Sequence, residues 1–334
     1  MKIKLKMILL VLLVIFLVVA GYFFVGVAPH PKGGVVFGVN FSPKHAQNLK
    51  LDWRENYLAL LDDLNVKNLK IIVHWDWVEG ERDKFYFDDL DWMKTEAEKR
   101  GAKIILVIGM KTGRWPECHV PEWASLLTKA EQQERVLKLV REIILRYNNS
   151  ETVWAWQVEN EPFFPFGECP WSDFNFVEEE IALVRSLDSQ KRPVLFTDSG
   201  EGSFWIKAAK LGDMVGITMY RRAWFSQLER YVDYPLPPVF YWRKANIIKK
   251  IFNKKVMVTE LQAEPWGPKL LYDVSVEEQE KTMNLEKFRE NIDFAKRTGL
   301  SDFYLWGSEW WYWMKTKQGK PEIWQEAQGL FKQQ

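Results

Sequence analysis

Two glutamates stand where a side chain can do chemistry. Glu161 closes the run Trp156-Gln157-Val158-Glu159-Asn160 and is followed by Pro162; Glu260 closes Val256-Met257-Val258-Thr259, ninety-nine positions later. An isolated glutamate is ordinarily a solvated surface charge, but one that ends an apolar strand sits where water is scarce. Two such carboxyls can divide the work of cleaving an acetal. One, protonated, donates to the leaving oxygen; the other, ionised, attacks or stabilises the positive carbon. The division requires surroundings that push their two proton affinities apart.

Such a pair needs a frame. Eight apolar runs read as strands: 35–41, 69–74, 103–109, 153–160, 193–198, 213–220, 255–260 and 302–306. Most are short, rich in Val, Ile and Phe, and apolar on both faces, as parallel strands covered on both sides are. Helical spacing occupies 54–64, 90–99, 129–147, 176–187, 204–211, 245–252, 276–297 and 323–331. This alternation predicts an α/β fold, a (β/α)8 barrel over residues 35–334, with its site at the carboxyl ends of the strands. Glu161 then ends the fourth strand and Glu260 the seventh, on opposite sides of the barrel mouth. A doubly wound sheet is the rival, but no Gly-x-Gly-x-x-Gly follows the first strand. The stretch 221–242 reads as irregular; its Trp224, Tyr231, Tyr234, Tyr241 and Trp242 suit a cleft wall.

Residues 7–27 form an uncharged apolar run of 21 residues, preceded by Lys2, Lys4 and Lys6. At ~1.5 Å per residue it is long enough to cross a hydrocarbon core, and the lysines favour a cytoplasmic amino terminus. We read residues 1–28 as a membrane anchor and 29–34 as a linker, with the remainder outside the cytoplasm. A cleaved signal peptide is the competing reading: Gly26-Val27-Ala28 offers a small-x-small site, with an unfavourable Pro29 behind it. Cleavage would leave a secreted protein.

Tryptophan is over-represented, with 18 in 334 residues, and aromatics total 15%. Indoles match the flat C–H faces of sugars while keeping an N–H for a polar partner, although many tryptophans simply fill cores. Net charge is +1, so no field argues for nucleic acid. Two cysteines and four histidines show no metal-ligand spacing, and neither a metal nor an organic cofactor is expected. Cys118 and Cys169 fall after the third and fourth strands, in loops that can meet in an exported chain; the sequence does not fix whether they bond.

Asn160-Glu161-Pro162 after strand four, with a glutamate ending strand seven, resembles the retaining glycosidases of clan A. Glycoside hydrolase family 5, with its cellulases and mannanases, is the nearest pattern. The likeness covers about residues 35–315. It implies that Glu161 is the general acid and then base, and that Glu260 is the nucleophile of a covalent glycosyl-enzyme. It implies too that Asn160 bonds the sugar 2-hydroxyl, that Tyr220 bonds the nucleophile, and that Trp306 is a stacking platform. Two positions depart from the family. Lys70 stands where an arginine is common on strand two, and Thr218 where a histidine often precedes the strand-six tyrosine.

Other positions are read from the residues alone. His74 and Trp75, after strand two, are candidates to face the sugar, against packing at the rim. Asp198, Glu201, Glu264 and Glu309, near strand ends, can bond sugar hydroxyls but read first as loop charges. Trp115, Trp266, Trp310, Trp311 and Trp313 read as a group lining subsites. The function expected is retaining hydrolysis of a β-linked glycan, with the carboxyls ~5–5.5 Å apart. Transglycosylation on the same fold and a catalytically inactive glycan-binding barrel are the alternatives. No Gly-x-Ser-x-Gly, His-Glu-x-x-His or phosphate loop supports another chemistry.

Overall fold

The computed structural model describes residues 2–332. Met1, Gln333, Gln334 and the side chains of Lys2, Ile3 and Leu5 lie outside the described residues. Ten strands form in chain order: β1 (Val36–Phe41), β2 (Asn68–Ile72), β3 (Lys103–Ile108), β4 (Val153–Val158), β5 (Val194–Asp198), β6 (Met214–Met219), β7 (Arg222–Phe225), β8 (Arg230–Asp233), β9 (Lys255–Gln262) and β10 (Asp302–Trp306). Eight of them close a parallel barrel in the order β1-β2-β3-β4-β5-β6-β9-β10, with helices between the strands. The expected (β/α)8 architecture is therefore present, and all eight predicted strands belong to the barrel.

Alternation along each strand builds two layers. Outward residues such as Val39, Leu69, Leu106, Val158 and Val258 join the large core beneath the helices. The inner face carries a small apolar layer of Ile105, Ala155, Leu195, Met257 and Tyr304. Toward the carboxyl ends the inner side chains turn polar and stay buried: Asn40, Lys70, Gln157, Thr197 and Thr218. A buried polar layer is tolerated only where its groups are paired. Asn40 Nδ2, for example, donates to the carbonyls of Thr259 and Leu305 at 2.9 and 3.1 Å.

Several expectations are corrected. The stretch 221–242 is not irregular: β7 and β8 pair as an antiparallel hairpin, with Arg222 opposite Asp233 and Trp224 opposite Tyr231. Charge pairing and an edge-to-face ring contact at 5.0 Å hold strands that have no apolar face to betray them. The helix after this hairpin, Pro238–Phe252, begins seven residues ahead of the predicted 245, because Pro238 opens its first turn. The span 276–297 breaks into Val276–Gln279 and Leu285–Lys296, since Asn284 caps the second helix by accepting from Lys287 N at 3.0 Å. Ser308–Lys317, aromatic enough to pass for a loop wall, is a helix.

At the amino terminus Lys2–Phe24 is one helix. Among the described residues it alone is long and apolar enough to cross a membrane, with a mean hydropathy of 3.1 over Lys6–Phe24. Cys118 and Cys169 form a disulfide with a Cα–Cα distance of 5.1 Å, tying the loop after β3 to the loop after β4.

Candidate active site

Glu161 sits past the end of β4 on a contorted piece of backbone. Glu159 and Glu161, on either side of Asn160, both have left-handed φ, 56° and 44°. Such values cost a non-glycine residue on the order of 1 kcal/mol or more, so surrounding bonds must hold them. They are numerous. The Glu159 carboxylate accepts from Met110 N at 2.7 Å and from Lys111 N at 2.5 Å. Glu161 N donates to Thr197 Oγ1 at 2.9 Å. Lys111 Nζ donates to the carbonyls of Glu161 and Phe164 at 3.0 and 2.9 Å. Gln157 Nε2 donates to Asn160 Oδ1 at 2.9 Å. Bonds to charged groups contribute roughly 1.5–3 kcal/mol each, enough to offset the backbone cost. Gly109, at φ +123°, permits the close approach, since a Cβ there would collide with the Glu159 carboxylate.

Glu260 is aimed by a different device. Along β9 the register slips by one residue against both neighbours, so that Val258 pairs with Ile217 but Glu260 with Thr218. On the other border Val258 pairs with Phe303 and Leu261 with Leu305. The extra residue is a β-bulge at Thr259. Val258 faces the helices, so strict alternation would send Glu260 outward as well. The bulge turns it inward. There Tyr220 Oη donates to Glu260 Oε2 at 3.0 Å and Lys70 Nζ to Oε1 at 3.4 Å.

Both glutamates line one lobe of a cleft, about 230 Å³ in volume, together with Asn160, Thr218, Tyr220 and Trp306. Their surroundings are unequal. Glu161 has Thr218 Oγ1 at 3.4 Å as its side-chain partner. Burial, and then the charges of Glu260 and Glu117, push its carboxyl well above the usual range. Burial lowers the Lys70 ammonium, with Glu260 opposing that shift.

Two further carboxyls face this lobe. Glu117, after β3, is pushed up to about 8 by burial, and Glu201, after β5, to about 7 by the same cause. Glu201 is no loose charge: it accepts from Tyr220 N at 2.9 Å and from Tyr241 Oη at 3.0 Å. It thus fixes the tyrosine that reaches Glu260. Glu117 escaped the sequence reading because nothing local marks it. Its place comes from the loop that the disulfide secures at the adjacent Cys118.

A second lobe of about 610 Å³ adjoins the first and shares Glu117, Phe166, Trp224, Trp266 and Trp306 with it. Its floor contains Arg114, also unmarked in sequence, whose guanidinium pairs with Glu264 and with Glu309, the latter at 2.9 Å. These two glutamates are therefore buried counter-ions, not loop charges. Burial alone would raise Glu264, but Arg114 and His45 hold it below the usual carboxylate range. Arg114 also lies 4.1 Å from the Trp306 ring, covering part of that indole.

His74 lines the larger lobe, 2.9 Å from Ser42 Oγ through Nε2; burial, and then His119, hold it well below its usual pKa. Trp75 does not reach the cleft. It is fully buried under the helices, edge-on to Trp123, with its N–H on Glu79 Oε2 at 2.9 Å. The tryptophans after the last strand are corrected in the same way. Trp310 and Trp311 are fully buried, donating to Gln279 Oε1 and to the Ala263 carbonyl at 2.7 Å each. Trp313 packs against the core, whereas Trp115 and Trp266 do line the cleft. Asp198, partly buried, accepts from Ser199 N at 2.9 Å and from Ser203. Among the described residues no cluster of three or more His, Cys, Asp or Glu side chains suits a metal ion.

The fold is that of the (β/α)8 barrels on which glycoside hydrolases are built. A glycoside hydrolase of family 5, subfamily 18, from Bifidobacterium longum, solved in complex with Manb1-4GlcNAc, aligns with a TM-score of 0.58 at 15% identity, covering 81% of this chain and 68% of that one. No family model matches the sequence. Two curated relatives, both mannan endo-1,4-beta-mannosidase A, align in part. The Podospora anserina protein is 29% identical over 111 residues, 30% of this chain and 28% of its own length. The Aspergillus aculeatus protein is 26% identical over 127 residues, 34% and 31%. The matched segment thus spans about three-tenths of either relative. Within the barrel class, the chain is similar to clan A glycoside hydrolases and, inside the clan, to family 5.

Proposed function

We propose that this protein hydrolyses β-glycosidic bonds with retention of configuration, Glu161 serving as acid and base and Glu260 as nucleophile. The observation that carries the reading is the unequal setting of two carboxyls on one lobe. Glu260 receives donors from Tyr220 and Lys70, while Glu161 is buried with its proton affinity raised. In the first step Glu161 gives its proton to the glycosidic oxygen as a Glu260 oxygen attacks the anomeric carbon. The C–O bond breaks and the leaving sugar departs with that proton. In the second, ionised Glu161 takes a proton from water, the water oxygen attacks the same carbon, and Glu260 leaves as a carboxylate. In this reading Asn160, which lines the lobe, meets the 2-hydroxyl, and Trp306, Trp266 and Trp224 meet sugar faces.

The 610 Å³ lobe beside the catalytic one has room for further sugar units, which favours an oligo- or polysaccharide over a small glycoside. The names of the two mannosidase relatives make β-1,4-linked mannans the first substrates to try. Residues 1–28 act as the anchor, 29–34 as a linker and 35–334 as the catalytic domain, facing away from the cytoplasm. The last turn of the amino-terminal helix packs against the barrel, which favours its retention. The test is a hydrolysis screen of the detergent-solubilised full chain against mannans, β-glucans, xylans and amino-sugar polymers, with Glu260→Gln alongside. Sugar released by wild type alone supports the reading. A folded, silent wild type that still binds a glycan would replace it with a binding role.

A further inference from the structure

We propose that the barrel face built from the helices Ile206–Leu211 and Pro238–Phe252 rests on an anionic bilayer surface beside the anchor. The inference depends on reading Lys2–Phe24 as a membrane span. The end of that span is already seated on this face. The rings of Phe23 and Phe24 lie 5.9 and 5.6 Å from Phe240, and the Arg243 guanidinium lies 4.7 Å from the Tyr22 ring. Arg243 Nη1 also donates to the Gly21 carbonyl at 3.3 Å.

Helical spacing extends this contact. Positions 240, 243, 247 and 250–251 recur every three or four residues, so Ile247, Lys250 and Ile251 continue the stripe that Phe240 and Arg243 begin. Ile251 is 67% exposed. The neighbouring segment lies against the same helix, where Lys244 Nζ donates to the carbonyls of Gly200 and Ser203 at 3.0 and 2.7 Å. That segment presents Phe204, 83% exposed, and Ile206. Large apolar side chains at such exposure, ringed by cations, are what a headgroup layer accepts.

The charge is one-sided. Residues 235–255 hold Arg243, Lys244, Lys249, Lys250, Lys254 and Lys255 and no carboxylate; residues 204–211 add Lys207 and Lys210, again without an acid. Lys254 faces Asp213, Lys255 pairs with Asp302, and Lys244 is turned inward onto carbonyls. Arg243, Lys207, Lys210, Lys249 and Lys250 make no ion pair among the described residues. Lys249 lies on the opposite side of its helix and Lys207 lies 4.8 Å from the Phe163 ring, which leaves Arg243, Lys250 and Lys210 beside the exposed Phe and Ile; in a chain whose net charge is +1, three such cations next to a span suit phosphate headgroups. A second copy of the chain would carry the same charge to the same face and be repelled.

The test places the full chain in nanodiscs of phosphatidylcholine, with or without one-third phosphatidylglycerol. Cys118 and Cys169 are bonded, so Ile251→Cys offers a single site for an environment-sensitive fluorophore. Leu145→Cys, exposed on the helix between β3 and β4, is the control. The expected result is a blue shift at 251 in phosphatidylglycerol discs only. It is lost in 0.5 M salt, set by screening, and in the combined Lys210 and Lys250→Glu variant, whose unfolding midpoint confirms folding. Position 145 should not respond. Equal emission at 251 in both lipids, a shift that survives charge reversal, or one that tracks copies per disc overturns the proposal. A chain that does not remain with the discs overturns the anchor reading and this inference with it, whereas retention without a shift overturns only the docking face.

Discussion

Two pairs of glutamates lie within a few residues of each other, and only one faces the cleft. Glu161 and Glu260 share a lobe that admits a ligand. Glu159, two positions before Glu161, faces Glu180 on the helix Phe174–Leu187, and Glu180 is fully buried. In both pairs the donors go mainly to one partner. Tyr220 and Lys70 serve Glu260; the amides of Met110 and Lys111 serve Glu159. Burial takes Glu159 up to about 7; it raises Glu180 further, helped by the Glu159 charge. The comparison teaches that a split carboxyl pair is not by itself a reactive site. It becomes one where a donor such as Tyr220 and a platform such as Trp306 share its cavity; Glu159 and Glu180 border a separate cavity of about 300 Å³, lined by Cys118, Cys169 and Trp171, that contains neither. The inner pair instead holds the backbone that carries Glu161.

The sharpest way to break the comparison is to neutralise one member of each pair. Glu260→Gln and Glu161→Gln should each lower kcat by about 10³-fold or more on a natural glycan. Glu180→Gln should leave kcat within about threefold, since the amide stays neutral beside Glu159, as the protonated carboxyl is. Comparable losses in all three would erase the distinction. Tyr220→Phe removes one bond to a charged group, worth roughly 1.5–3 kcal/mol, and should cost about 10–100-fold in kcat. An unchanged rate would deny that Glu260 depends on that hydroxyl.

Proton affinities give smaller and more specific effects. Glu161 must hold a proton in the first step, so activity should fall as pH rises through its elevated pKa. Above about pH 8, where Glu117 is itself ionised, its charge helps keep that pKa high. Glu117→Gln should therefore move the alkaline limb of kcat to lower pH; a shift to higher pH would reverse the assignment. The inner pair should speak through stability. Its folded pKa values lie above the ~4.3 of an unfolded glutamate. Its contribution is thus fully present below that value and is lost as pH rises through about 7 at Glu159 and higher at Glu180. Wild type should lose stability from about pH 5 to pH 8, and Glu180→Gln should flatten that slope by about 1–3 kcal/mol. Denaturant titration at the two pH values measures it.

Much of this was legible in the sequence. Short apolar runs spaced by helices announced the barrel, because strands covered on both faces cannot hide their composition. Glu161 and Glu260 stood out because a charge ending such a run is rare. What escaped depends on distance in the fold. Arg114 and Glu117 occupy a loop without periodicity, set by a disulfide and by contacts from the segment after β9 and the helix Ser308–Lys317. Glu201, Glu264 and Glu309 looked like ordinary surface acids until Tyr220, Tyr241 and Arg114 closed around them. Trp75, Trp310 and Trp311 erred the other way. An indole beside a strand end serves a core as readily as a cleft, and one turn of helix decides which.

The bulge at Thr259 makes the aim of Glu260 a matter of parity. Pairing the same residues without the bulge would restore strict alternation, send the carboxyl toward the helices and bring Leu261 to the mouth. Every residue type the chemistry needs would still be encoded, in the same order. In a lineage descending from this chain, a substitution that ironed out the bulge would thus silence the enzyme while every motif search still found it intact.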